Sequence, residues 1–168
     1  MDAPEEEWMW QLWIASLIIL VLPFTDNAPA MMLEIPLEEL VREADLIVVG
    51  AVESVKSQKG GEMIFSLAKI RVKRVLKGKV PSEGWVTVEF QGGSVAEETL
   101  VVEDSPDYKP GEEVVAFLKK LSDSNKYTTV GLFQGKHLIK EGTVLPENLP
   151  LETFLEQIEA LLHKEKTE

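Results

Sequence analysis

The sequence predicts a mainly β fold, a small antiparallel barrel with a short helix before it and an amphipathic helix after it. Three observations carry this. Short runs rich in Val, Ile and Thr recur between turn signals such as Lys59-Gly60-Gly61 and Pro110-Gly111. One run, Met63 to Leu76, is unusually long and changes parity, as a strand bending from one sheet into the next must. Helical spacing of apolar residues is confined to the two ends of the domain.

In chain order, Leu33 to Ala44 contains the first helix. Pro36 suits the first turn, where a missing N–H costs nothing, and Glu38 and Glu39 favour the positive helix end. Leu37, Leu40 and Val41 form its apolar stripe. A β-branched strand then runs from Leu46 through Gly50 to Val55, the glycine marking a bulge or a close approach. In the long strand, Ala68, Ile70 and Val72 alternate with Lys69, Arg71 and Lys73, and parity slips at Arg74, so Val75 rejoins the inner face only through a bulge. Val86, Val88 and Phe90 alternate with Thr87 and Glu89 in the next strand, which Gln91-Gly92-Gly93 breaks. Leu100 to Val102 reads as a short strand, and Val114 to Leu118 as a buried one because the run is apolar on both faces. Asp123-Ser124-Asn125 turns the chain into a strand over Tyr127–Phe133, and His137–Ile139 with Thr143–Leu145 would close the sheet. Pro150 opens the last helix, in which Leu151, Phe154, Leu155, Ile158, Leu161 and Leu162 share one face.

Several antiparallel strands, one long and bulged, with helices at the two ends, suggest an OB-like barrel, the type found in oligonucleotide- and oligosaccharide-binding domains. Four segments also carry a resemblance: Ala44–Gly50, Val75-Leu76-Lys77-Gly78, Pro110–Leu118, and Gly131-Leu132-Phe133-Gln134-Gly135-Lys136. Together they resemble a set of uncharacterised exported bacterial and archaeal domains, which in turn resemble the OB-like barrel of metalloproteinase inhibitors and netrin modules. The likeness spans about residues 36–145. It implies the fold and not an inhibitory mechanism, because those inhibitors act through an N-terminal cysteine and this chain has none.

Residues 1–30 read as a signal peptide or membrane anchor, and 31–168 as a single barrel domain with terminal helices. Trp8–Phe24 is apolar apart from Gln11 and Ser16; its seventeen residues would reach about 25 Å as a helix, near the lower limit for spanning a bilayer. Ala28-Pro29-Ala30 offers a cleavage site before Met31, while the acidic Asp2, Glu5, Glu6 and Glu7 run against the basic start of a signal peptide. Trp8, Trp10 and Trp13 would suit an interface if the segment stays as an anchor. On either reading the domain is expected outside the cytoplasm, secreted or membrane-anchored, with the membrane as one partner and an unidentified extracytoplasmic protein as another.

Composition narrows the chemistry. Acidic residues outnumber basic ones 29 to 17, and setting aside the five acids of the first thirty residues still leaves a net charge of −7. Such a domain is a poor default partner for nucleic acid. The absence of cysteine excludes disulfides, thiol nucleophiles and thiolate zinc sites. His163 suits the negative end of the last helix, and His137 stands in a strand without a nucleophile motif to serve. Gly131–His137 superficially resembles a phosphate loop, but it is one residue short, lacks the Ser/Thr and precedes strand-like residues. Ser94 follows Gly92-Gly93 without a nucleophile elbow. The acids Glu97, Glu98, Glu103, Asp104 and Asp107 read as a solvated loop, without the spacing of an EF-hand. No enzyme activity and no cofactor or metal is therefore expected.

One charged feature stands out. Lys69, Arg71, Lys73, Arg74, Lys77 and Lys79 form a basic ridge in an acidic chain. As a solvated strand face it would protect a sheet edge. As a site it would bind an anionic polymer: polysaccharide, lipid headgroups or single-stranded nucleic acid. The last wants stacking aromatics, and Phe65, Trp85 and Phe90 are expected to point mostly inward. The functional expectation is a non-catalytic, exported or membrane-anchored binding module, with an anionic-polymer binder as the alternative.

Overall fold

The computed structural model describes residues 34–168 except Asp123, Lys166 and Glu168. The apolar segment Trp8–Phe24, the Ala28-Pro29-Ala30 site, residues 31–33 and Asp123, the first residue of the expected turn, lie outside the described residues. Among the described residues no helix is long and apolar enough to cross a membrane.

Helix α1 spans Leu37–Glu43, with Pro36 at its N-cap and Glu38 and Glu39 in its first turn. Strands β1 (Leu46–Gly60) and β2 (Met63–Lys77) then form a hairpin of two fifteen-residue strands. Their register shifts three times: Lys73 and Leu76 are left over on β2, and Glu53 on β1. Each bulge turns the strand, so the hairpin bends as the parity slip requires. Val75, however, does not return to the interior. It stays 43% exposed, and the bulged Leu76 packs instead against the core shared with the helices. Gly50 sits at one of these shifts, where a Cβ would come within 2.6 Å of the Arg71 carbonyl oxygen and of Ile70 Cγ2. Both readings of that glycine, bulge and close approach, therefore hold.

Next come β3 (Trp85–Gln91), the small hairpin β4 (Gly93–Val95) and β5 (Glu98–Leu100), β6 (Glu113–Lys120) and β7 (Lys126–Thr129). The strands β1, β2, β3, β7, β6 and again β1 pair in turn, which makes a barrel-like ring of five. Every pairing is antiparallel except β3–β7, which is parallel and holds at only two positions, Thr87–Lys126 and Val88–Tyr127. The short strand expected at Leu100–Val102 lies instead at Glu98–Leu100, leaving Val101 84% exposed. The strand expected over Tyr127–Phe133 ends at Thr129, because Gly131 takes a left-handed φ of 60° and starts a 3-10 turn over Leu132–Gly135. Strands β8 (Lys136–Lys140) and β9 (Thr143–Leu145) do pair, but they extend the sheet from β6, with β10 (Leu149–Pro150) at the border, rather than closing the ring. Helix α2 (Leu151–Glu165) ends the domain.

Two apolar cores share the same strands. Inside the ring lie Leu46, Val48, Ala68, Ile70, Val86, Val88, Val114, Ala116 and Leu118. On the other face of β1 and β6, Ile47, Val49, Val115 and Phe117 meet α1 through Leu40 and Val41 and α2 through Phe154, Leu155 and Ile158. The unbroken apolar run of β6 follows from this double burial. Each of these Val, Leu, Ile and Phe side chains contributes about 1.5–3 kcal/mol by leaving water.

Candidate binding face

Strand parity assigns the outer face of β1–β2–β3. Ile64, Ser66, Ala68 and Ile70 are buried, so Phe65, Leu67, Lys69 and Arg71 face out, opposite residues of β1 and β3 set by the register. Three cross-strand rows result: Ala51–Arg71–Trp85, Ser54–Lys69–Thr87 and Lys56–Leu67–Glu89. Trp85 and Phe65 therefore stand outside both cores, half-buried on this face, against the expectation that they point inward; Phe90 alone packs into the ring. The Trp85 ring carries two cations, Arg71 with Cζ 3.8 Å and Lys69 with Nζ 4.1 Å from its centroid. Such contacts stabilise by about 0.5–1 kcal/mol each where solvent reaches them, and they hold long side chains in place.

The basic ridge divides. Lys69 and Arg71 lie on Trp85, with Arg71 Nε also donating to Glu53. Lys73 pairs with Glu113 of β6. Beyond the bulges the chain has turned toward the helices: Arg74 reaches Glu159 at 2.8 Å and Glu152 at 3.1 Å, both on α2. Lys77 donates to the Val41 carbonyl at 2.7 Å, at the end of α1, and lies 3.6 Å from Glu165. Lys79, in the loop before β3, has no partner among the described residues. Two of the six thus serve the Trp85 face, while Arg74 and Lys77 bind helices to the sheet.

The candidates for chemistry are kept apart. His137 is buried between the rings of Phe117 and Phe154, at centroid distances of 5.2 and 5.0 Å. Its Nδ1 lies 2.9 Å from Glu147 Oε1 without the alignment of a hydrogen bond, and Nε2 finds no partner among the described residues. Burial holds this imidazole below the ordinary histidine range, and Glu147 opposes that only in part. His163 is exposed in the last turn of α2. Ser94 Oγ shares a hydrogen bond with Thr99 Oγ1 at 2.9 Å on the small hairpin. The acidic loop is dispersed, Glu98 pairing with Lys59 and Asp107 with Lys109. Among the described residues no three His, Asp or Glu side chains converge to hold a metal ion.

Where the β3–β7 pairing stops, a cleft of about 260 Å³ opens between Glu89, Phe90, Thr128, Val102, Pro106 and Leu132. It is smaller than the roughly 300–1,000 Å³ of ordinary small-molecule sites. Beneath it Tyr108 donates to or accepts from Thr129 Oγ1 at 2.9 Å, and burial pushes its phenol well above the usual range. The chain matches no protein-family model and no curated protein.

Proposed function

We propose that the chain is a non-catalytic binding module, exported or held at a membrane by its N-terminal apolar segment, and that it recognises its ligand on the outer face of β1–β2–β3. The observation that carries this reading is the composition of that face. An aromatic ring and two ordered cations stand outside the cores on rigid strands, while the histidines, Ser94 and the loop acids are dispersed. The five-stranded ring supports the OB-like fold on which this reading rests, and no mechanism is transferred from the metalloproteinase inhibitors and netrin modules that the sequence resembles. A photo-crosslinking residue at Thr87, with one at Glu141 as control, tests the face in the full chain. A discrete adduct from Thr87 alone is expected. Equal labelling from both positions would overturn the face, and a turnover abolished by one conservative substitution would overturn the non-catalytic reading.

A second reading, binding of an anionic polymer, is favoured by Lys69 and Arg71, which keep outward-facing charge beside Trp85. Retention on a polyanion that weakens as salt rises, and that charge reversal at Arg71 removes, is its expected mark.

A further inference from the structure

We infer that the Trp85 face takes an acidic polysaccharide, a sugar chain bearing carboxylate or sulfate groups, with Lys56, Lys69 and Arg71 as its cationic contacts. The inference rests on the binding-module reading and names the ligand class of that face. This chain has acidic residues in excess, and its cations are mostly paired: Lys59 with Glu98, Lys119 with Glu43, Lys126 with Glu89, Lys136 with Glu112, Lys164 with Glu38. Lys56 and Lys69 have no carboxylate partner among the described residues, yet they share one face, Lys56 opposite Leu67 and Lys69 two residues further along the same strand. Arg71, two residues further still, commits Nε to Glu53 and leaves its two terminal nitrogens without a partner. Those nitrogens are the fork that accepts a carboxylate or sulfate side-on. Trp85 orders both Lys69 and Arg71, so less side-chain freedom is lost when an anion arrives.

The rest of the face selects among polyanions. Ser54 and Thr87 flank Lys69 in one cross-strand row, placing two hydroxyls beside the cation where a sugar ring offers hydroxyls of its own. Single-stranded nucleic acid stacks successive bases on several aromatic rings. Here Trp85 is the one tryptophan among the described residues, and its ring already carries cations. A bilayer would want protruding apolar side chains, whereas Phe65 and Leu67 on this face are half-buried.

The test uses the full chain in a neutral detergent, with calcium-free polygalacturonate as probe and dextran, oligo(dT) and detergent micelles doped with phosphatidylglycerol as competitors. Polygalacturonate should be retained at low salt and released as salt rises. The double variant Lys56→Gln/Lys69→Gln, which strands no ion-pair partner, should weaken binding about tenfold or more, while Lys79→Gln should not. Absence of polygalacturonate binding, equal binding of dextran, tighter binding of oligo(dT) or of the doped micelles, or a double variant that binds like the parent would each overturn the assignment. Polymer length after incubation is followed by size exclusion. Unchanged length with variant-sensitive binding supports the site; shortening of the polymer would instead overturn the non-catalytic reading while leaving the site in place.

Discussion

At the scale of single residues, acid acts first on His137. Its folded-state pKa is depressed by burial, whereas in the unfolded chain it titrates near the ordinary value of 6.5. Above that pH both states carry a neutral ring and stability is full. As pH falls below it the unfolded chain binds the proton first, so stability is lost progressively toward the folded value. Thermal unfolding followed from pH 7 down to about 5, where most carboxylates are still ionised, should show this loss, and His137→Leu should flatten it. Lys136 is a second sensitive position. Its ammonium pairs with Glu112 at 2.6 Å, donates to the Asp107 carbonyl and lies 5.0 Å from the centre of the Tyr108 ring, with only 12% of the side chain exposed. Lys136→Ala strands a largely buried carboxylate and should cost about 2–4 kcal/mol in urea denaturation. Neither environment was legible in the sequence, where His137 and Lys136 stand as neighbours on a short strand. The outward Trp85 was illegible for a related reason. Alternation shows which residues share a face, and an indole usually belongs inside, but Lys69 and Arg71 give this ring partners on the outside. Lys56 escaped notice because its strand continues past the apolar run that revealed it.

At the scale of elements, α2 contrasts two kinds of contact with the sheet. Phe154, Leu155 and Ile158 are buried against β1, β6 and α1, and Phe154→Ala should cost about 3–5 kcal/mol. Arg74 ties the same helix to β2, but its side chain is 43% exposed and its partners are also open to water, so Arg74→Ala should cost only a small fraction of that. Chemical denaturation of the two variants side by side checks the difference. The apolar stripe of α2, the whole of β2 and the double burial of β6 were legible because each repeats its pattern over several residues. The distal third of β1, Lys56 to Gly60, was not, since a polar arm held by ladder pairing alone has no apolar period to read. Gly93 shows what covers that arm: its φ of 128° and the hydroxyls of Ser57 and Ser66, which a Cβ there would strike, both require glycine. Ser66 in turn donates to the Gly92 carbonyl at 2.6 Å, which satisfies a buried hydroxyl in the interior row.

At the scale of the whole molecule, alternate residues of β1 and β6 serve two cores at once. Neither core can melt while the other stands, because each would lose the strands that build it. Native-state hydrogen exchange should therefore find the amides of Leu46–Gly50 and Val114–Leu118 the slowest and opening together in one step; two separate openings would contradict shared strands. The ring itself was foreseen as a barrel, but its parallel seam could not be, since no local pattern distinguishes a parallel neighbour from an antiparallel one over two residues. That seam has a consequence for copies of the chain. Opened at Thr87–Lys126 and Val88–Tyr127, the ring becomes one curved ribbon from β3 through β2, β1 and β6 to β7, with both hairpins intact. Its two freed borders fit each other, so the border of a second opened molecule fits equally well. The two rungs that seal one barrel thus also govern reciprocal strand exchange between two, and tightening them is the direct way to keep each chain to itself.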